Sequence, residues 1–369
     1  MSQSLAKSRC AAGLVIVVAV SLSLLIPGRA NAVNDEFYGI VPAQNPTSNE
    51  FQTMGQAGVG TYRLHLNWAR IQPTEGGPYD WSAVDEEVGN AARNGIRTLP
   101  FVFGSPDYAA SAHLEPPIGS TESKESWKRF LGEAAARYGL DGTFWEEFAV
   151  TDPGVEPQPI TAWQIWNEQN SPSFFEPKPS PRKYAELLKI SDDAISAENP
   201  DAEIVLGGMF GTPSRNRGIF SWKFLKRLYK VKGVESRFDA VALHPYSPNL
   251  SGIKAQVELA RKQMRKAGDG RTPIWITELG WGSGGTHGSD LIKTPAGQKK
   301  MLRKSFNLIL DRRGKWKVRH LLWFAWRDPD EPEDATGVVC SWCATAGLLN
   351  RALEMKPSFN QFRKFTGAA

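Results

Sequence analysis

From Phe37 onward, short apolar runs alternate with longer segments whose apolar residues recur every three or four positions. The first kind reads as strand and the second as amphipathic helix. Strands are predicted at Phe37–Val41, Thr61–Leu66, Arg97–Phe103, Thr161–Trp166, Glu203–Leu206, Phe238–Leu243, Ile274–Thr277 and His320–Ala325. Helices are predicted at Trp81–Asn94, Lys124–Tyr138, Pro181–Ala197, Phe220–Lys230, Ile253–Lys266 and Pro295–Asp311. A weaker helix lies near Ser48–Ala57, and a last one starts near Pro357. Such alternation builds parallel strands joined by helices. Eight pairs make an α/β fold of one closed (β/α)8 TIM barrel, over residues 33–369. An open doubly wound sheet is the alternative. It usually needs a glycine-rich turn after its first strand to bind nucleotides, and none is present here. Long segments follow the third strand (Gly104–Lys124) and the eighth (Arg327–Pro357), where loops commonly carry specificity.

The strands end on polar and aromatic residues, at the end where barrels place their sites. The second gives Arg63, His65, Asn67 and Trp68, and the fourth gives Asn167 and Glu168. The sixth gives His244 and Tyr246, the seventh Glu278, and the eighth Trp323 and Trp326. Glu168 and Glu278 end apolar runs and are set among Trp, Asn and Gly rather than among solvated charges. A charge there is costly without partners or a task. Taken singly, Glu168 also suits the first turn of a helix, and Glu278 suits an ion pair on a loop. Together they suggest one site where two carboxylates meet. Glycosidic cleavage uses such a pair, about 5–5.5 Å apart when configuration is retained.

The first thirty-two residues lie outside this pattern. Lys7 and Arg9 precede an apolar stretch from Leu14 to Ile26, then Pro27-Gly28 and a small-residue site at Ala30-Asn31-Ala32. This order reads as a secretory signal peptide over 1–32, with the mature chain starting near Val33 and lying outside the cell or in its envelope. An uncleaved anchor helix is the alternative, although the stretch is short for a span of about 20 residues. No other segment is long and apolar enough to cross a membrane. Residues 1–32 hold three cations and no acid, so removing them lowers the net charge from +5 to +2. The remaining basic clusters fall on helical surface patterns, and no nucleic-acid motif is present. Cys340 and Cys343 remain in the mature chain, and in an exported protein they are expected to pair, two free thiols being the alternative. The few histidines show no paired ligand spacing, so neither metal nor cofactor is expected.

The motifs resemble clan A of the retaining glycoside hydrolases, nearest to family thirty-nine and related exported bacterial polysaccharide-degrading enzymes. The resemblance rests on Trp166-Asn167-Glu168, on Thr277-Glu278-Leu279-Gly280-Trp281, on the run Tyr62–Trp68 and on His244-Pro245-Tyr246. It implies that Glu168 is the general acid/base and Glu278 the nucleophile. By the same resemblance Asn167 meets the sugar 2-hydroxyl, Arg63 and Tyr246 hold Glu278, His244 lines the site and Trp326 is the apolar floor. The implied partner is a polysaccharide or oligosaccharide, cleaved by a monomer, with endo attack favoured by the long loops and many aromatics. A catalytically inactive sugar-binding barrel is the alternative from another class.

Overall fold

The computed structural model describes residues 33–213, 218–285, 288–330 and 340–369. The reading of a signal peptide over 1–32 therefore lies outside the described residues.

In chain order the elements begin β1 (Tyr38–Val41), α1 (Ser48–Gln56), β2 (Thr61–Asn67), α2 (Trp68–Ile71), α3 (Ser82–Arg93) and β3 (Arg97–Phe103). They continue with α4 (Thr121–Tyr138), α5 (Thr143–Thr151), β4 (Ala162–Ile165), α6 (Pro181–Glu198), β5 (Glu203–Leu206) and β6 (Met209–Phe210). The last are α7 (Ser221–Leu228), β7 (Val241–His244), α8 (Leu250–Lys266), β8 (Ile274–Leu279), α9 (Pro295–Trp316), β9 (Val318–Phe324) and α10 (Pro357–Thr366). Among the described residues every pairing between these strands is parallel, in the order β5-β4-β3-β2-β1-β9-β8-β7-β6. The nine strands fill eight barrel positions, because β5 and β6 are one strand interrupted at Gly207-Gly208. The seam closes through a parallel bridge from Val205 to Ala240.

Local sequence explains the helix starts. Thr47 and Glu50 form a reciprocal capping box at α1. Ser180-Pro181 opens α6 and Thr294-Pro295 opens α9, each with a hydroxyl cap and proline at the first helical position. The short α2 and α5 were not expected from the sequence, and α9 extends beyond its expected end at Asp311. α5 lies in the segment after Tyr138, and α9 runs on through Arg312-Arg313-Gly314 to Trp316.

The apolar positions divide into two packed layers. Val41, Leu99, Val205, Ala240, Ala242, Trp275 and Leu322 form a small separate cluster. The larger cluster joins strands to the surrounding helices and takes in Trp163 and Trp166. No helix among the described residues is long and apolar enough to cross a membrane.

Candidate active site

The carboxyl ends of β2, β4, β7 and β8 bring together six of the residues singled out in the sequence. Arg63, on β2, is fully buried. Its Nε donates to Gln164 Oε1 at 2.8 Å, its Nη2 donates to Asn167 Oδ1 at 2.9 Å, and its Nη1 pairs with Glu278 Oε1. The guanidinium also lies over the Phe101 ring, 3.9 Å from its centroid. Burial lowers its pKa, and the Glu278 charge opposes that shift. Tyr246 donates its hydroxyl to the other Glu278 oxygen at 2.8 Å. Burial, reinforced by that carboxylate, raises the Tyr246 phenol well above its ordinary value, so it remains a donor. Glu278 thus holds one charged and one neutral donor.

His244 sits between the carboxylates. Its Nδ1 is 2.8 Å from Glu168 Oε1 and 3.4 Å from Glu278 Oε2, and its Nε2 is 3.0 Å from Thr277 Oγ1. Burial first, and then the Arg63 charge, lower its pKa well below the usual histidine value, so the ring is neutral. Gln164 Nε2 donates to Thr277 Oγ1 at 3.3 Å, which leaves the threonine hydrogen for His244 Nε2. This chain assigns the imidazole proton to Nδ1, aimed at Glu168. One oxygen of Glu168, one of Glu278 and a His244 nitrogen all lie within 4.8 Å of one another. Three such donors can in principle hold a cation, but Arg63 already supplies positive charge to Glu278. The two side chains keep 11% and 12% exposure, enough for a substrate to reach them.

The turn carrying Glu168 is backbone-strained. Trp166 and Glu168 have φ of 69° and 42°, in a region that non-glycine residues rarely adopt. Surrounding bonds over-determine it. Tyr184 donates to Ile165 O at 2.9 Å, Gln169 Nε2 to Gly207 O at 3.0 Å, and Glu168 N to Gly208 O at 3.2 Å. Asn170 Nδ2 donates to the carbonyls of Phe210 and Ile219, both at 2.7 Å.

Gly207-Gly208 also explains why β5 breaks where it does. A Cβ on Gly208 would lie 1.9 Å from His244 Nε2, and one on Gly207 would lie 2.2 Å from Gln169 Oε1. Gly208→Ala is therefore expected to push the His244 ring off Glu168. Turnover should fall by about 10²-fold, the cost of a misplacement near 1 Å. Stability should fall by about 1–3 kcal/mol, as overpacking does. Steady-state kinetics with urea unfolding checks both, and wild-type kinetics in this variant would remove the argument.

Trp326 is not part of this assembly. It is 1% exposed and its ring packs edge-on against Phe359 at 6.0 Å. β9 ends at Phe324, and Trp326 N instead donates to Val41 O at 3.0 Å, so strand alternation no longer governs its direction. Phe324 is the partly exposed aromatic at that strand end. Asn67 caps α2, its Oδ1 accepting from Arg70 N at 3.3 Å. His65 stacks between Phe101 and Phe103, at 4.8 and 4.4 Å. Gln164 and Thr277 were missed in the sequence. The available signal was a polar residue inside each of the two apolar strands that lead to the glutamates. Cys340 and Cys343 are joined by a disulfide.

Burial of histidines has a consequence for acid stability. Burial lowers His65 to about 3 and His320 to about 4, and holds His244 well below 6.5. Each takes up a proton on unfolding below about pH 6.5, so its contribution to stability is present above that pH and lost as pH falls toward the folded value. Glu87 works in the opposite sense, since burial raises it to about 7 and the folded state keeps its proton. Three against one leaves a net uptake of about two protons. Unfolding free energy should then drop by roughly 2–3 kcal/mol per pH unit between about pH 6 and 5. Urea melts across that window check the slope, and a flat profile would contradict it.

Residues 159–338 match the family model described as glycosyl hydrolase catalytic core. Among solved structures, the chain is similar to a family 39 glycoside hydrolase from Bacteroides cellulosilyticus, with 19% identity and a TM-score of 0.64 over 91% of this chain and 65% of that one. It is also similar to a monomeric beta-xylosidase from Caulobacter crescentus, with 18% identity and a TM-score of 0.61 over 90% of this chain and 68% of that one. A third likeness is to a family 5, subfamily 18 protein from Streptomyces cattleya solved with GlcNAc, with 14% identity and a TM-score of 0.63 over 90% and 80% of the two chains. This chain therefore spans just under two thirds of the length of the Bacteroides protein. No curated protein matches it. The barrel and the resemblance read from the sequence agree with these findings.

Proposed function

We propose that this protein is a retaining glycoside hydrolase acting on a polysaccharide or oligosaccharide, with endo attack. The observation that carries the proposal is the pair of carboxylates. An oxygen of Glu168 and an oxygen of Glu278 lie within 4.8 Å at the same barrel mouth. So close an approach of two oxygens suits the about 5–5.5 Å separation of carboxyl groups in retaining enzymes.

The roles follow from the partners. Glu278, held by Arg63 and Tyr246, is favoured as the ionised nucleophile. Its oxygen attacks the anomeric carbon and forms the glycosyl ester, while the bond to the leaving oxygen breaks. Glu168 gives its proton to that oxygen. His244 Nδ1–H donates to Glu168 Oε1 and orients the carboxyl group for that transfer. In the second step Glu168 takes a proton from water, the water oxygen attacks the anomeric carbon, and Glu278 is released as carboxylate. Asn167 gives its Oδ1 to Arg63, so its amide nitrogen remains to donate to the sugar 2-hydroxyl.

The proposal includes export through residues 1–32 and action as a monomer without a metal. It is tested on a panel of polysaccharides and aryl glycosides, with β-xylosides first because one structural neighbour is a beta-xylosidase. Product sizes separate endo from exo attack, and proton NMR of the first product reads its configuration. Retained configuration, unaffected by a chelator, is the expected result. Inverted product would overturn the mechanism, and binding without turnover would favour the inactive barrel.

A further inference from the structure

The geometry points to Trp342 as a sugar-stacking platform on the Glu278 side of the cleft, held there by the Cys340–Cys343 disulfide. The inference rests on the glycosidase reading and names a specificity residue for that same site.

Most tryptophans of the chain are fully buried in the core. Trp342 is partly exposed. Its ring lies 4.8 Å from that of Tyr246 and 5.6 Å from that of Phe324. Tyr246 in turn bonds Glu278 and lies 6.0 Å from the partly exposed ring of Phe210. Phe210, Tyr246, Trp342 and Phe324 thus form one continuous aromatic wall beside the nucleophile. An aromatic face is electron-rich, and the weakly positive C–H groups of a pyranose ring complement it.

The wall is built, because the segment carrying Trp342 is fastened at several points. The disulfide closes the turn Cys340-Ser341-Trp342-Cys343, and Cys343 N donates to Cys340 O at 3.0 Å. Three residues on, Thr345 ties the turn to the segment after Glu278. Its hydroxyl donates to Gly284 O at 2.6 Å, and its carbonyl accepts from Ser283 N at 2.8 Å. Partly buried Lys356 donates to the same carbonyl at 3.1 Å and pairs with Asp328 at 2.6 Å. Gly282 is needed there, since a Cβ would lie 2.7 Å from Trp342 O. The indole is therefore positioned relative to Glu278 by covalent and hydrogen-bonded links rather than by burial of its own faces.

The test separates binding from turnover. In a Glu278→Gln background, xylotetraose, cellotetraose and mannotetraose are titrated calorimetrically. At least one is expected to bind, and adding Trp342→Ala should weaken that binding by about tenfold or more, as loss of an aromatic anchor does. Trp342→Phe should recover it to within about threefold, because a smaller ring keeps the face. The paired Cys340→Ser and Cys343→Ser substitutions should weaken binding by about three- to tenfold with Trp342 still present, through lost preorganisation. Thermal melts confirm that each variant folds. Unchanged binding in Trp342→Ala overturns the platform, as does failure of all three sugars to bind. Turnover of an aryl glycoside by the wild-type enzyme together with unchanged binding would remove the platform and leave the glycosidase reading. Trp342-dependent binding without any turnover would do the reverse.

Discussion

Glu278→Ala is expected to lower turnover of every substrate by about 10⁴- to 10⁶-fold, on the scale seen when a nucleophile is removed from a concerted site. Among the described residues no other carboxylate stands where the glycosyl ester would form, since Glu168 is engaged by His244 and is needed for proton transfer. The substitution also strips Arg63 of its charge partner. Arg63 is fully buried, and breaking a buried ion pair from one side is costly, here up to about 3 kcal/mol. A melting curve must therefore accompany the kinetics to show that the barrel is folded. Azide supplies both missing features, an anion beside Arg63 and a nucleophile facing the anomeric carbon. It should restore turnover and give a glycosyl azide of inverted configuration, because one displacement replaces two. A retained azide product from this variant would exchange the roles of the two glutamates.

Glu168→Ala is expected to behave differently, and the difference identifies it. Substrates with an alkoxide-like leaving group need its proton and should slow by about 10²–10⁴-fold or more. An acidic phenol leaves without that help, so the first step on an aryl glycoside should be largely spared. The second step still lacks its base, so the glycosyl ester on Glu278 should accumulate. Azide needs no base and should relieve the block with retained configuration. Mass spectrometry of the quenched protein locates the ester by peptide. An ester found on residue 168 of the complementary Glu278→Ala variant, or equal slowing of acidic and basic leaving groups in Glu168→Ala, would defeat the assignment. The neutral His244 beside Glu168 adds a constraint, since its own proton stays on the ring at Nδ1 and is no substitute for the missing acid.

Much of this was legible in the chain because barrel strands are written plainly. A strand buried on both faces is mostly apolar, so each run is short and bounded, and a carboxylate at its end is conspicuous. Glu168 and Glu278 were visible for that reason, as were Arg63 and His244-Pro245-Tyr246. α5 was not, because its apolar residues Phe144, Trp145 and Phe148 fill only two turns within a polar and glycine-containing segment. The interruption at Gly207-Gly208 reads as a strand end, yet the chain resumes the ladder as β6 once it has cleared His244.

What the sequence by itself determined is the barrel, the strand ends and the residue types available there, since periodicity and burial cost act along the chain. The tertiary structure alone decided which of those residues meet. Phe324 and Trp326 are two apart and equivalent in any strand that continues, but β9 stops at Phe324 and the bond from Trp326 N to Val41 O turns the second ring into the core. Gln164, Thr277 and His244 lie on three different strands, and only barrel closure strings them into the hydrogen-bonded chain that sets the imidazole proton. Trp342 lies almost a hundred residues beyond Tyr246, and a disulfide with the Thr345 anchor brings the two rings together. Contacts of this kind depend on where separate elements cross in space, and local sequence preferences act over only a few residues.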